Sequence, residues 1–228
     1  MRLIAPLSLC LLLAASASAA PLVDKPVVVE LYQSQGCSSC PPADAVLNAL
    51  ATRQDVIALN FAVTYWDQLG WKDTFAKPAY TARQWEYARS GGRGNVSTPQ
   101  MIVGGRTAIV GSRAAEVDAV ITRARAAQSG PAILLNGSII SIQEGRASVP
   151  ATLWLVRYDP RTIQVAIRAG ENGGRTLPHR NIVRDLVSLG TWNGVAKRFN
   201  LPAAVQGAET ALILQAGRGG PIVAARRV

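Results

Sequence analysis

The sequence predicts an α/β chain in two parts: an N-terminal domain of alternating strands and helices, then a smaller, mostly-β, sandwich-like C-terminal domain. Three observations carry this expectation. Two continuous apolar runs, PVVVELY and DVIALNFAV, flank a helical stretch; runs of this kind are strands covered on both faces, as in parallel sheets. Past Gly130-Pro131 the texture changes to short strand-like runs and Gly-rich turns, the pattern of antiparallel hairpins. The length, 228 residues, suits one large domain or two small ones once a leader is set aside.

Residues 1–20, MRLIAPLSLCLLLAASASAA, have a positive start at Arg2, an apolar stretch from Ile4 to Leu13 and small residues up to Ala20, the three parts of an export signal. The apolar stretch is too short to span a bilayer, and no later segment is apolar enough to do so. Cys10 lies within it after Leu9, where a lipoprotein signal requires Gly or Ala, so Cys10 is expected to leave with the signal.

The first domain is expected over residues 21–130. PVVVELY, bounded by Pro26 and the polar Gln33 to Gly36, is a buried strand; ADAVLNALAT places Ala43, Val46, Leu47 and Leu50 at helical intervals; DVIALNFAV, residues 55–63, is the second strand. Together they make a right-handed βαβ unit. An aromatic segment follows, with Tyr65, Trp66, Trp71, Phe75, Tyr80, Trp85 and Tyr87. Its later part, Ala79 to Ser90, is a helix stopped by Gly91-Gly92. VSTPQMIVGGRTAIVGS reads as a hairpin around Gly104-Gly105, and residues 113–128 as an amphipathic helix with Val117, Val120 and Ile121 on one side.

The second domain is expected over residues 131–228. ATLWLVRY and TIQVAIRA flank Asp159-Pro160-Arg161, while ETALILQA and PIVAARR flank Gly217 to Gly220, predicting two hairpins. NIVRDLVSLG fits helix and strand equally.

Lys and Arg outnumber Asp and Glu by 24 to 14, a formal charge of +10, one less once Arg2 leaves. The arginines are scattered, without a run of five like charges and without a nucleic-acid motif. The charge therefore reads as solubility, and no nucleic-acid partner is expected. Ser-His-Asp hydrolysis and phosphate binding are also unsupported, since GGRGN lacks the Lys-Ser/Thr of a P-loop.

Of the three cysteines, Cys37 and Cys40 alone reach the mature chain, and in oxidising surroundings such a vicinal pair is a disulfide. A Cys-x-x-Cys at a helix start sets its first sulfur near unpaired N–H groups and the positive end of the helix dipole, which favour a thiolate. Cys37 is thus the expected attacking sulfur and Cys40, one turn on, the resolving one. Pro41 and Pro42 lack N–H donors and belong in a first helical turn, which pushes the helix start toward Cys40 or Pro41 and leaves Cys37 less stabilised; Ser38 and Ser39 offer weak hydrogen bonds instead.

The order strand, Cys-x-x-Cys, helix, strand, helix, Thr98-Pro99 hairpin, helix resembles the thioredoxin fold over about residues 26–128. More narrowly, VELYQSQGCSSCPPAD, YWDQLGWKDTFA and STPQMIVGG resemble the exported thioredoxin-like proteins catalogued as domain of unknown function 1223, and the resemblance continues through ENGGRTLPHRNIVRDL to the C-terminus. The label names no reaction. The resemblance implies a cis Pro99 that presents the backbone of Thr98 to an extended substrate peptide. It also covers Trp66 and Trp71, candidates for a substrate-facing wall with Asp67, Lys72 and Asp73 at its rim.

Glu30 interrupts an apolar strand seven positions before Cys37. It is either a buried proton carrier for Cys40 or a structural residue that pairs with an arginine or faces water at the strand end. His179, the single histidine, is expected in a surface turn; with Cys37 and Cys40 it would alternatively complete a copper or zinc site. Trp154 and Trp192 are assigned to the core.

The leading expectation is an exported thiol-disulfide oxidoreductase or redox adaptor acting on protein thiols or disulfides in the periplasm, without cofactor or resident metal. The rivals are a non-enzymatic binding protein with a structural disulfide and a copper-delivery protein.

Overall fold

The computed structural model describes residues 25–228; the export signal and Cys10 lie outside the described residues. Strands β1 (Val27–Gln33) and β2 (Val56–Ala62) are buried at all seven positions each, because helices cover both faces. They pair in parallel, Val27 opposite Val56 through Gln33 opposite Ala62, joined by α1 (Pro41–Leu50). Alternation sends Val27, Val29 and Leu31 toward Ala43 and Leu47 of α1 and toward Val117, Val120 and Ile121 of α3 (Ala114–Ala126). Val28 and Tyr32 point the other way, to Tyr80 and Tyr87 of α2 (Pro78–Ser90). On that face Tyr32 stacks on Phe61 with ring centroids 5.3 Å apart. Strands β3 (Gln100–Val103) and β4 (Thr107–Ile109) form the expected hairpin. β3 runs antiparallel to β1, with Tyr32 opposite Gln100.

The remaining strands are β5 (Ile133–Asn136), β6 (Ile139–Ile142), β7 (Ala151–Asp159), β8 (Ile163–Ala166), β9 (Thr176–His179), β10 (Ile182–Trp192), β11 (Lys197–Asn200), β12 (Glu209–Ala216) and β13 (Ile222–Arg227). The chain is thus α/β, built on one large mixed sheet of order β13-β12-β7-β10-β2-β1-β3-β4. The expected division near residue 130 falls between α3 and β5, yet strands from both sides belong to this sheet. The join is at β2, where Ile182 lies opposite Asn60 and Asn181 is bonded to the strand twice: the Asn60 amide donates to Asn181 O at 2.9 Å and the Asn181 carboxamide to Ala58 O at 2.8 Å. One core cluster runs unbroken from Val28 and Phe61 to Val156, Ile213 and Ala225.

A sandwich-like layer does form, as the small sheet β11-β6-β5 packs Ile133, Ile140 and Phe199 on Leu153, Leu155, Leu212 and Leu214. One of its two layers is therefore the extension of the large sheet, not a sheet of a separate unit. The expected hairpin across Asp159-Pro160-Arg161 is absent, because both edges of β7 are taken by β10 and β12. β8 pairs with β9 instead, as a two-stranded ribbon of its own. The hairpin β12–β13 is as expected, and the ambiguous segment NIVRDLVSLG is strand β10. Trp192 is core, 1 % exposed, whereas Trp154 is half-buried under the Arg83 guanidinium.

Candidate functional site

The parallel pair β1 and β2 ends at one edge of the sheet, where ligand sites form in open α/β sheets. The loop leaving β1 is Ser34 to Cys40, and Cys37 and Cys40 are joined in a disulfide with Cα atoms 5.4 Å apart. Successive turns fold this loop: the Cys37 amide donates to Ser34 O at 3.0 Å and the Cys40 amide to Cys37 O at 3.2 Å. Cys40 is the N-cap of α1, with Pro41 and Pro42 in the first turn. Helix geometry there demands no N–H from proline, and the helix start matches the position expected from the sequence. The two prolines also leave the first turn of α1 without two of its N–H donors. A hydroxyl does reach the first sulfur, Ser39 Oγ lying 3.4 Å from Cys37 Sγ.

Thr98-Pro99 is a cis peptide, immediately before β3 and hence beside the end of β1. Trp66 connects it to the cysteine loop: its indole N–H donates to Thr98 Oγ1 at 2.7 Å, and a Cβ placed on Gly36 would lie 3.7 Å from Trp66 Cβ. Trp71 donates to Gln35 Oε1 at 2.9 Å. The structure thus gathers Cys37, Cys40, Trp66, Trp71, Thr98 and Pro99 at one edge.

Glu30 is placed elsewhere. It shares the face of Val28 and Tyr32, opposite the face that carries α1, and its carboxylate accepts from the Arg83 Nη2 and Nε groups at 2.8 and 3.0 Å. Both side chains are buried, and Arg83 also donates to Gln215 Oε1 at 3.0 Å. This is the structural arginine pair, so the proton-carrier role at Cys40 is corrected by the two-residue alternation of the strand.

The polar groups beneath α1 are others. Asp44, one turn after Cys40, accepts from Asn60 Nδ2 at 2.8 Å and from His179 Nδ1 at 3.3 Å; Asn60 Oδ1 accepts from Gln33 at 3.0 Å. His179 is on β9 and 1 % exposed, so the surface-turn expectation is corrected. Burial works against its protonation, but the Asp44 hydrogen bond and the charges of Asp44 and Asp73 outweigh that and raise its pKa above the ordinary histidine value. The His179 Nδ1 atom faces Asp44, and among the described residues no group of three His, Cys, Asp or Glu side chains is placed to hold a metal ion. Asp73 is not at a rim. It is buried, accepting from the Gln35 amide at 2.7 Å and the Phe75 amide at 2.8 Å, and burial pushes its pKa up despite these bonds.

Two residues from the far side of the sequence complete the site. Asn172 donates to Gln35 O and Cys37 O, both at 2.9 Å, and Glu171 accepts from the Ser38 amide and hydroxyl at 3.1 and 2.6 Å. The Ser38 bonds lower the Glu171 pKa. The signals for the missed residues are polar interruptions of apolar pattern: Asn60 within DVIALNFAV and Asp44 on the Ala43–Leu47 face of α1. ENGG carries no comparable signal, since its role depends on a contact about 135 residues away.

Fold and site together define an α/β protein with a disulfide at the carboxyl edge of parallel strands, beside a cis-proline turn. The chain belongs to the family described as "Protein of unknown function (DUF1223)", whose model matches residues 28–215. It is similar to the crystal structure of protein AGR_C_4864 from Agrobacterium tumefaciens, at 31% identity over 92% of this chain and 96% of that one, TM-score 0.75. HBP35 of Porphyromonas gingivalis shares the fold at 13% identity, covering 90% of this chain and 75% of that one, TM-score 0.59. No curated protein matches the chain. Among the described residues no helix is long and apolar enough to cross a membrane.

Proposed function

We propose that the chain is an exported, thioredoxin-like thiol-disulfide oxidoreductase or redox adaptor that works on protein thiols or disulfides of the periplasm through Cys37 and Cys40. The observation that carries this reading is the Cys37–Cys40 disulfide at the start of α1, next to the Thr98-Pro99 cis turn. In the oxidised chain a partner thiolate attacks Cys37 Sγ, the S–S bond breaks and its electron pair leaves on Cys40. A second partner thiolate then attacks the mixed disulfide and frees Cys37, so the partner gives up two electrons to the pair. The reverse sequence, with Cys40 resolving, oxidises the pair. Trp66, by holding Thr98, fixes the turn against which an extended peptide would lie.

The test is a trap. Cys40→Ser cannot resolve a mixed disulfide, so it is expected to accumulate covalent partners through Cys37 in periplasmic extract, released by dithiothreitol and absent in Cys37→Ser. A Cys40→Ser protein that captures nothing, with a parent that shows no dithiol-disulfide cycling, sinks the reading. One observation favours a second reading, a binding protein whose disulfide is only structural: both sulfurs are buried. Against it, a disulfide closing so short a loop restricts the unfolded chain little. A very negative reduction potential without exchange activity would decide for that rival.

A further inference from the structure

The two sulfurs are sealed, Cys37 at 0 % and Cys40 at 1 % exposure, although Ser38 and Ser39 between them are exposed. Residues 167–175, the loop that joins β8 to β9, lie against the backbone that carries the two sulfurs. Asn172, itself fully buried, reaches the carbonyls of Gln35 and Cys37 with one carboxamide nitrogen, and Glu171 holds both donors of Ser38. Gly170 lies against Trp71 and Gly70. A Cβ on Gly170 would come within 3.2 Å of Trp71 Cβ, one on Gly70 within 3.5 Å of Gly170 Cα, and both residues have positive φ, so close backbone approach is built into the contact.

The loop also holds its own shape. The Ile167 amide donates to Arg175 O and the Gly174 amide to Ile167 O, each at 2.9 Å. The Arg175 guanidinium donates to Asn172 Oδ1 at 2.7 Å, and β8 and β9 pair only with each other. At its base the ribbon is fixed by buried Ile167 and Leu177, by Asn48 donating to Pro178 O and by His179 on Asp44. At its tip the hydrogen bonds are ones that water or another chain can replace. The Glu171–Ser38 bonds lie at the solvent edge and the Asn172 bonds are buried, but the attachment is polar throughout, and a preformed segment held by few apolar contacts belongs to the low end of local opening free energies.

We propose that loop 167–175 is a removable cap on the Cys37–Cys40 disulfide, latched by Asn172 and Glu171, so that a thiol reaches Cys37 only when the cap lifts. This rests on the exchange reading above and adds its regulation. A docking protein compensates for the lost latch by offering N–H donors to the Gln35 and Cys37 carbonyls. A small thiol offers no such replacement, so the cap selects for macromolecular partners.

The experiment follows reduction of the oxidised chain by excess dithiothreitol. One dithiothreitol thiolate attacks Cys37 Sγ and expels the Cys40 thiolate; the second sulfur attacks the mixed disulfide, leaving two protein thiols and cyclic oxidised dithiothreitol. With capped and open forms in fast exchange, the rate follows the open fraction. Asn172→Ala is expected to raise it by about tenfold or more, Glu171→Ala by less. In Asn172→Ala the amides of residues 168–175 should lose hydrogen-exchange protection while β7 and β10 keep theirs. Glu171 is exposed, so Glu171→Ala decides the matter if Asn172→Ala does not fold. Reduction rates within about twofold of wild type in folded variants overturn the cap. The two readings fail separately. Faster reduction of uncapped variants with no transfer to any protein thiol keeps the cap and removes exchange; efficient transfer at equal rates in capped and uncapped chains keeps exchange and removes the cap.

Discussion

Glu30 and Asp44 are two buried carboxylates on opposite faces of the same sheet, and their neighbours assign them different work. Glu30 neutralises a guanidinium that is 3 % exposed and whose other partners are uncharged, Gln215 and Tyr87. Removing the carboxylate strands a buried cation, which typically costs about 3–5 kcal/mol, whereas replacing both members with apolar groups is close to neutral. Glu30→Ala is therefore expected to lose about that much stability in urea denaturation, with Glu30→Met/Arg83→Met recovering most of it. The reduction potential of the cysteine pair should stay at the wild-type value in the double variant; a large shift there would return Glu30 to the site. The interruption of the apolar run at Glu30 was legible in the sequence. Its partner was not, because Arg83 lies 53 positions away and local periodicity does not say which helix packs on which face of a strand.

At the scale of elements, helix α1 and the β8–β9 ribbon meet through Asp44 and His179. The folded-state pKa of His179 is raised, chiefly by Asp44 once burial has been overcome. A group of this kind stabilises fully below its unfolded value, about 6.5 for histidine, and loses that contribution as pH climbs through the folded value. The stability gap between wild type and His179→Gln should thus be wider at pH 6 than at pH 9, as read by urea midpoints at each pH; a gap that widens with pH contradicts the Asp44 pairing. Elements with strong periodicity were the legible ones. Helix α2 was expected over residues 79–90 and is Pro78–Ser90, and α3 was expected over 113–128 and is Ala114–Ala126. Gly104-Gly105 marked the β3–β4 turn because both residues need positive φ. The β7–β8 hairpin failed for a different reason: turn chemistry at Asp159-Pro160-Arg161 shows that the chain bends, not which strand β7 pairs with afterwards.

Across the whole molecule, the change of texture at residue 130 reports a change of strand type and not the end of a sheet. Strands β1 and β2 have helices on both sides and read as continuous apolar runs; β7, β10 and β12 mix polar and apolar positions, and the antiparallel pairing that allows this does not stop them from extending the same sheet. The β2–β10 join is made by residues about 120 positions apart, a pairing that local pattern does not encode. Its consequence is cooperative. Tyr80 donates its hydroxyl to Val183 O at 3.1 Å, Arg83 bonds Gln215, the Ile222 amide donates to Gly104 O at 3.0 Å, and the core around Phe61 and Tyr87 is completed by Val156, Ile213 and Ala225. A fragment of residues 25–130 would expose that apolar face and the open edge of β2, a template for association, besides leaving Arg83 and Glu30 at the new surface and the cysteine pair without its cap. The fragment is expected to lack a cooperative thermal transition and to associate in size-exclusion chromatography, while residues 25–228 unfold in one transition with coincident far- and near-ultraviolet signals. Two separated transitions in the longer chain, or a monomeric and cooperatively melting fragment, would show that the halves are energetically independent despite their shared sheet.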